Sequence, residues 1–180
     1  MGDLPGARAL FEAVLEGRER TLPAGHPDII DSQSALAASM SVMGDLPGAR
    51  ALFEAALEAY KRTLPAGHPD LLLAQANLAG LMWKMGDLPG ARALFEAVLE
   101  GRERTLPAGH PDIIDSQSAL AASLSVMGDL PGARALFEAA LEGYQRTLPA
   151  GHRDLLLAHA NLARFTWNRR ALPCARAPPI

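Results

Sequence analysis

"GDLPGARALFEA", residues Gly2 to Ala13, sets the reading of this 180-residue chain, because it returns unchanged at Gly44 to Ala55, Gly86 to Ala97 and Gly128 to Ala139. A step of 42 residues falls among the periods that mark solenoids, whose units bury their apolar faces only against neighbouring units. In the second copy, Gly44 suits the left-handed residue that closes a helix, Asp45 is an N-cap, and Pro47 sits in a first turn where missing backbone donors cost nothing. The helix that follows runs to about Arg62. It places Leu46, Ala49, Leu52, Phe53, Ala56, Leu57 and Tyr60 at spacings of three and four, an apolar stripe. Its other face carries Arg50, Glu54, Glu58 and Arg62, which predicts ion pairs Arg50 with Glu54 and Glu58 with Arg62.

The other half of each unit opens on "TLPAGHPD", Thr21 to Asp28, which recurs at Thr63 and Thr105 and, as "TLPAGHRD", at Thr147. Gly25 breaks the preceding helix, Pro27 fixes φ for a new first turn, and Asp28 sets negative charge on the helix's positive end. A helix from about Pro27 to Met43 follows. Arg153 replaces the proline in the last copy, which predicts a looser start for that helix. The expected architecture is therefore all-α: an α-solenoid of stacked antiparallel helix hairpins in 42-residue repeats. It would form one array over residues 1–168, with an orphan helix at 4–20, hairpins at about 27–62, 69–104 and 111–146, a final helix at about 153–168, and a degenerate tail at 169–180.

Composition removes several alternatives. At 49% hydrophobic and 21% charged the chain has ordinary composition for a folded protein. A net charge of −3 creates no field for nucleic acid, and Arg164, Arg169, Arg170 and Arg176 read as a solvated basic tail. A single cysteine, Cys174, rules out an internal disulfide or a thiolate metal site. The most apolar run, Leu71 to Met85, is interrupted by Gln75, Asn77 and Lys84 and is too short to span a bilayer. "MGDLPGARALFEA" lacks the basic start and apolar core of a secretory signal. A cytoplasmic protein with no membrane association is expected.

The pattern resembles the tetratricopeptide repeat, in the 42-residue variety of kinesin light chains. Leu78, Ala79, Gly86, Asp87, Leu88, Ala91, Phe95 and Leu99 carry the likeness, together with "GHPDLLLAQANLA" at Gly67 to Ala79, which looks like the family's "HPD…NLA" helix start. The resemblance implies helix pairs stacked into a right-handed superhelix, with a concave groove, lined by each unit's first helix, that holds peptides or partner proteins.

Repeats diverge where such a surface would lie. Second helices differ only at Val14/Ala56, Gly17/Ala59, Arg18/Tyr60 and Glu19/Lys61, whereas the first helices differ at most positions. By the family's phase, the candidate groove residues are Asp31, Ser34, Leu73, Asn77, Trp83 and Lys84, with Asp115, Ser118, Asn161 and Trp167 in the later repeats. Asn77 and Asn161 stand where the family often grips a peptide backbone, since an amide both donates and accepts; the alternative is that they are ordinary helix asparagines bonded to water. Trp83 and Trp167 fit either aromatic anchors or space-fillers between helices. The basic clamp of chaperone adaptors is not reproduced, because its positions hold Ser34, Ala38, Leu73 and Asn77.

His26, His68, His110 and His152 recur one unit apart, too far for a shared metal ion given packed-helix separations of about 8–10 Å and metal–ligand bonds of about 2 Å. No serine, threonine or cysteine sits in a nucleophile motif, and the glycines form no phosphate loop. The expectation is a non-enzymatic scaffold for a protein or peptide partner, with no cofactor, no metal and no nucleic acid. The alternative is a structural or self-assembling module without a dedicated ligand. Leu4, Leu10, Phe11 and Leu15 at one end and Leu156, Leu162 and Phe165 at the other would lack their usual neighbours, so a homo-oligomer through uncapped ends is expected under it.

Overall fold

In the computed structural model, residues 4–171 are described, with side chains over 5–166. The expectations for Cys174 and Arg176, and for the side chains of Leu4, Trp167, Arg169 and Arg170, lie outside them. The described residues form eight α-helices: α1 (Leu4–Thr21), α2 (Pro27–Met43), α3 (Leu46–Thr63), α4 (Pro69–Met85), α5 (Leu88–Thr105), α6 (Pro111–Met127), α7 (Leu130–Thr147) and α8 (Arg153–Ala171).

The short turn between α2 and α3 is built as its letters require. Gly44 adopts φ 90°, the left-handed conformation that glycine reaches without penalty. The Asp45 N–H then donates back to the Met40 carbonyl at 3.0 Å, while the Asp45 carboxylate accepts from the Gly48 N–H at 3.1 Å. Each terminus thereby satisfies part of its orphan backbone. A side chain on Gly48 would collide with Met40 and with the capping carboxylate itself.

The longer connector ends in a cap that differs from the usual set. His68 Nδ1 accepts the Asp70 N–H at 3.3 Å, and His26, His110 and His152 do the same for Asp28, Asp112 and Asp154. The repeated histidines are helix N-caps, each in the role that serine or aspartate commonly fills.

The chain divides into two compact units, residues 1–101 and 102–180. In the first, Ile30, Leu36, Ala37 and Met40 of α2 pack with Phe53, Ala56, Leu57 and Tyr60 of α3 and with Leu71, Ala74, Leu78 and Leu81 of α4. Ala37, Ala49 and Ala56 have no exposed surface, so small side chains sit where the helices come together. Leu15, expected to be bare, is partly buried against this cluster, because α2 already covers one side of α1. In the second unit, Ile114, Ala140, Tyr144, Leu155 and Ala158 form the corresponding cluster. Phe165, also expected to be bare, is buried, its ring 5.7 Å from that of Phe137. Phenylalanine there stands where α4 has the inward-facing Leu81, so α8 turns that position onto α7.

One buried polar atom stands out. Ser123 Oγ is fully buried with no hydrogen-bond partner among the described residues. Burying an unsatisfied hydroxyl costs roughly 1–3 kcal/mol. Ser123→Ala is therefore expected to raise stability by about 1 kcal/mol after the small loss of packing, read as a higher urea midpoint. The equivalent change at the half-buried Ser39 is expected to leave the midpoint within about 0.5 kcal/mol of its starting value.

Candidate functional site

The first helices of two successive repeats, α2 and α4, share the walls of two adjoining clefts in the first unit. One, of about 220 Å³, is lined by Asp31, Ser34, Tyr60, Asp70, Leu73, Ala74 and Asn77. The other, of about 290 Å³, is lined by Ala38, Ser41, Val42, Phe53, Ala76, Asn77, Gly80, Leu81 and Lys84. Asn77 belongs to both. Helical spacing produces this arrangement: residues 73, 77, 80 and 84 fall on one face of α4, as 31, 34, 38, 41 and 42 do on α2.

Of the candidate residues, Asp31, Ser34, Leu73, Asn77 and Lys84 are thus brought together. Trp83 is exposed and lines neither cleft. Asp115 and Ser118 lie on α6, and Asn161 is half-buried on α8 in the second unit. Asn77 is half-buried and its amide has no hydrogen-bond partner among the described residues. Lys84 Nζ donates to Ser41 Oγ at 3.2 Å, tying α4 to α2 at one end of the pair of clefts. Asp31 and Asp70 stand at the other end, so the two clefts run from carboxylates through an amide to an ammonium.

The sequence reading missed Tyr60, which it placed only on the apolar stripe of α3. Its ring is buried in the core, and its hydroxyl donates to Asp31 Oδ1 at 2.8 Å. Tyr144 repeats the contact with Asp115 in the second unit. Burial first, then the hydrogen bond to the aspartate, pushes both phenols well above the ordinary tyrosine value of about 10. Part of the repeat divergence is therefore structural pairing. Where Tyr60 and Tyr144 stand on α3 and α7, α1 and α5 have Arg18 and Arg102. Arg18 donates to the Asp28 carbonyl at 2.6 Å and to Ser32 Oγ at 2.8 Å, and Arg102 does likewise to Asp112 and Ser116. Tyrosine comes with aspartate, and arginine with serine.

These are the chain's two tyrosines, which makes the pairing directly measurable. A phenol whose pKa is raised by folding contributes stability below about pH 10 that is lost as pH climbs toward the folded value. Absorbance at 295 nm is expected to show no phenolate until above pH 10 in the folded protein. Stability is expected to fall more steeply above pH 10 than in the Tyr60→Phe, Tyr144→Phe variant.

On the outer faces, Arg50 pairs with Glu54 at 2.7 Å, as the spacing predicts. Glu58 pairs instead with Lys61, at 2.8 Å, because an exposed carboxylate takes whichever flexible cation reaches it with less ordering. Among the described residues there is no group of three or more histidine, cysteine, aspartate or glutamate side chains that could hold a metal ion, and no helix is long and apolar enough to cross a membrane.

Comparison with known proteins places this geometry. Tetratricopeptide-repeat family models match residues 29–104 and residues 1–28 and 113–154. No curated protein sequence matches the chain. Among solved structures, the kinesin light chain nearly identical TPR-like repeats of Podosopora anserina superpose with a TM-score of 0.83 at 29% identity, covering 95% of this chain and 81% of that one. A single-substitution form of that protein gives 0.84 at the same identity and coverage. BtubC (BKLC) of P. vanneervenii shares the fold, with a TM-score of 0.75 at 20% identity, over 99% of this chain and 78% of its own. Period, helix phase, caps and superposition agree, and the chain belongs to the tetratricopeptide-repeat family, in its kinesin-light-chain-like type.

Proposed function

We propose that this protein is a scaffold that captures an extended polypeptide segment in the paired clefts between α2 and α4. Tetratricopeptide repeats as a family mediate protein–protein interaction and scaffolding, and their typical members are not enzymes. The observation that carries the finer reading is Asn77: a half-buried amide without a partner among the described residues, shared by both clefts. Extended main chain presents one donor and one acceptor per residue, and a single amide answers both. Ser34 and Ser41 add hydroxyls on the facing helix, and Leu73, Val42 and Leu81 offer apolar contact.

The charges at the two ends would set direction. Asp31 and Asp70 favour a basic side chain at one end and Lys84 a carboxylate at the other, each acting mainly on orientation and on-rate. Helices already held by their own caps and core require little ordering on binding, which leaves more of the contact energy as affinity. The test is a selection from a random peptide display library, followed by affinity measurement on the variant Asn77→Ala. Loss of the amide's bonds is expected to weaken selected peptides roughly tenfold with the circular dichroism spectrum unchanged. Selected peptides that bind Asn77→Ala and Lys84→Ala as tightly as the parent would overturn the assignment.

A further inference from the structure

Two helices of this chain have identical sequences and different surroundings. α1 and α5 both read LPGARALFEAVLEGRERT. In α5, Val98 is 1% exposed, and a Cβ on Gly101 would lie 2.5 Å from Cδ2 of Leu72 on α4. In α1, the equivalent Val14 is 47% exposed, Leu10 and Phe11 are also exposed, and nothing lies within 4 Å of a Cβ on Gly17. The same letters thus form a filled contact in one place and an open notch in the other.

The missing filler is present elsewhere on the molecule. α8 corresponds to α4, and its Leu156, the counterpart of Leu72, is 57% exposed where Leu72 is 5% exposed. Ala163 is likewise exposed on α8 where its counterpart Ala79 is buried on α4. We infer that a second copy of this chain docks its α8 on α1, with Leu156 entering the notch at Gly17 and lying against Val14. The contact is the α4–α5 packing of the first unit rebuilt between molecules. Occupant and register both come from that internal example, whose residues are the same on the α1 side and keep the inserting leucine on the α8 side. Such a contact joins two different surfaces of the molecule, so association is head to tail. It involves neither cleft between α2 and α4 and stands or falls independently of peptide capture.

The experiment is light-scattering mass and sedimentation velocity across a concentration series of the parent and of Val14→Glu and Leu156→Glu. The parent is expected to rise above its single-chain mass of 19.1 kDa as concentration increases. Either substitution places a charge in the contact at a site exposed in the single chain, so folding is preserved, and each variant alone is expected to remain at monomer mass. An equimolar mixture is expected to form a heterodimer and nothing larger, because Val14→Glu keeps a working α8 and Leu156→Glu keeps a working α1. Gly17→Leu, which fills the notch while improving helix propensity, is expected to weaken association at least tenfold, and Val126→Glu, an exposed change on α6, to leave it unaltered. A parent that stays monomeric at all concentrations, or variants that associate like the parent, would overturn the inference. So would a mixture that yields no heterodimer.

Discussion

Phe53→Ala is expected to destabilise the first unit by about 3–5 kcal/mol, the cost of truncating a buried phenylalanine and leaving a cavity. Phe53 is 4% exposed among Leu36, Ala37, Met40 and Ala49, and the ring also forms part of the wall of the cleft that contains Ser41 and Lys84. The small side chains around it cannot close the hole, since Ala37 and Ala49 have no longer atoms to move inward. With total stabilities of natural domains at about 5–15 kcal/mol, such a loss is a large share of what holds the unit together. The contrast within the repeat makes the expectation sharp. Phe11 occupies the same place in the repeat, yet it is 38% exposed on α1, so Phe11→Ala is expected to cost less than about 1 kcal/mol. Urea unfolding followed by circular dichroism, with the midpoint shifted and the slope conserved, separates the two. Equal losses at Phe11 and Phe53 would contradict the burial pattern.

Arg102→Met is expected to cost about 1.5–3 kcal/mol, the range for hydrogen bonds made by a charged group. The guanidinium joins the end of α5 to the first turn of α6 through the Asp112 carbonyl and Ser116 Oγ, both at 2.8 Å. Methionine preserves the length of the stem and removes the donors, so the loss reports on the bonds more than on packing. Ser116 retains a bond of its own, donating to the Asp112 carbonyl at 2.8 Å, which keeps the cost toward the lower half of the range. A double-mutant cycle with Ser116→Ala is expected to show a coupling of about 1 kcal/mol. Additive losses would mean that arginine and serine are independent, and the matched exchange with tyrosine and aspartate in the alternate repeats would lose its explanation.

That exchange also marks where the sequence stops being legible. Helix limits, the left-handed Gly44, the Asp45 cap and the buried stripe from Ala49 to Tyr60 all depend on residues close together in the chain, and local chemistry states them directly. Tyr60 and Asp31 are 29 residues apart and touch only because the hairpin packs. Read singly, one is an apolar stripe residue and the other an exposed groove acid. The two arginines conceal their role in the same way, since Ser32 and Ser116 lie on the following helix and look like ordinary helix serines. The histidine caps are a different case. The position beside a helix start was visible, but imidazole Nδ1 as the acceptor of the Asp70 N–H follows from backbone geometry. The near identity of the repeats worked both ways, fixing the period while copying every residue regardless of use. Only the burial differences between identical helices, Val14 against Val98, show that the copies stand in different surroundings.

The candidate site was legible as a helix face and not as a pair of clefts. Phase alone grouped Trp83 with Asn77 and Lys84, although Trp83 is exposed and lines neither cleft. Which face residues converge depends on how α2 and α4 pack with α3 in the shared core, whose Phe53 also lines one of the clefts.

The most direct test of peptide capture is a nitrogen-15 correlation spectrum of the protein recorded during titration with a library-selected peptide. If the clefts hold the peptide, the side-chain amide of Asn77 shifts with the same saturation curve as backbone signals of Ser34, Ser41 and Leu73, and resonances of the outer face of α3 around Arg50 and Glu54 stay in place. Saturating shifts confined to other surfaces, with Asn77 unmoved, would contradict it.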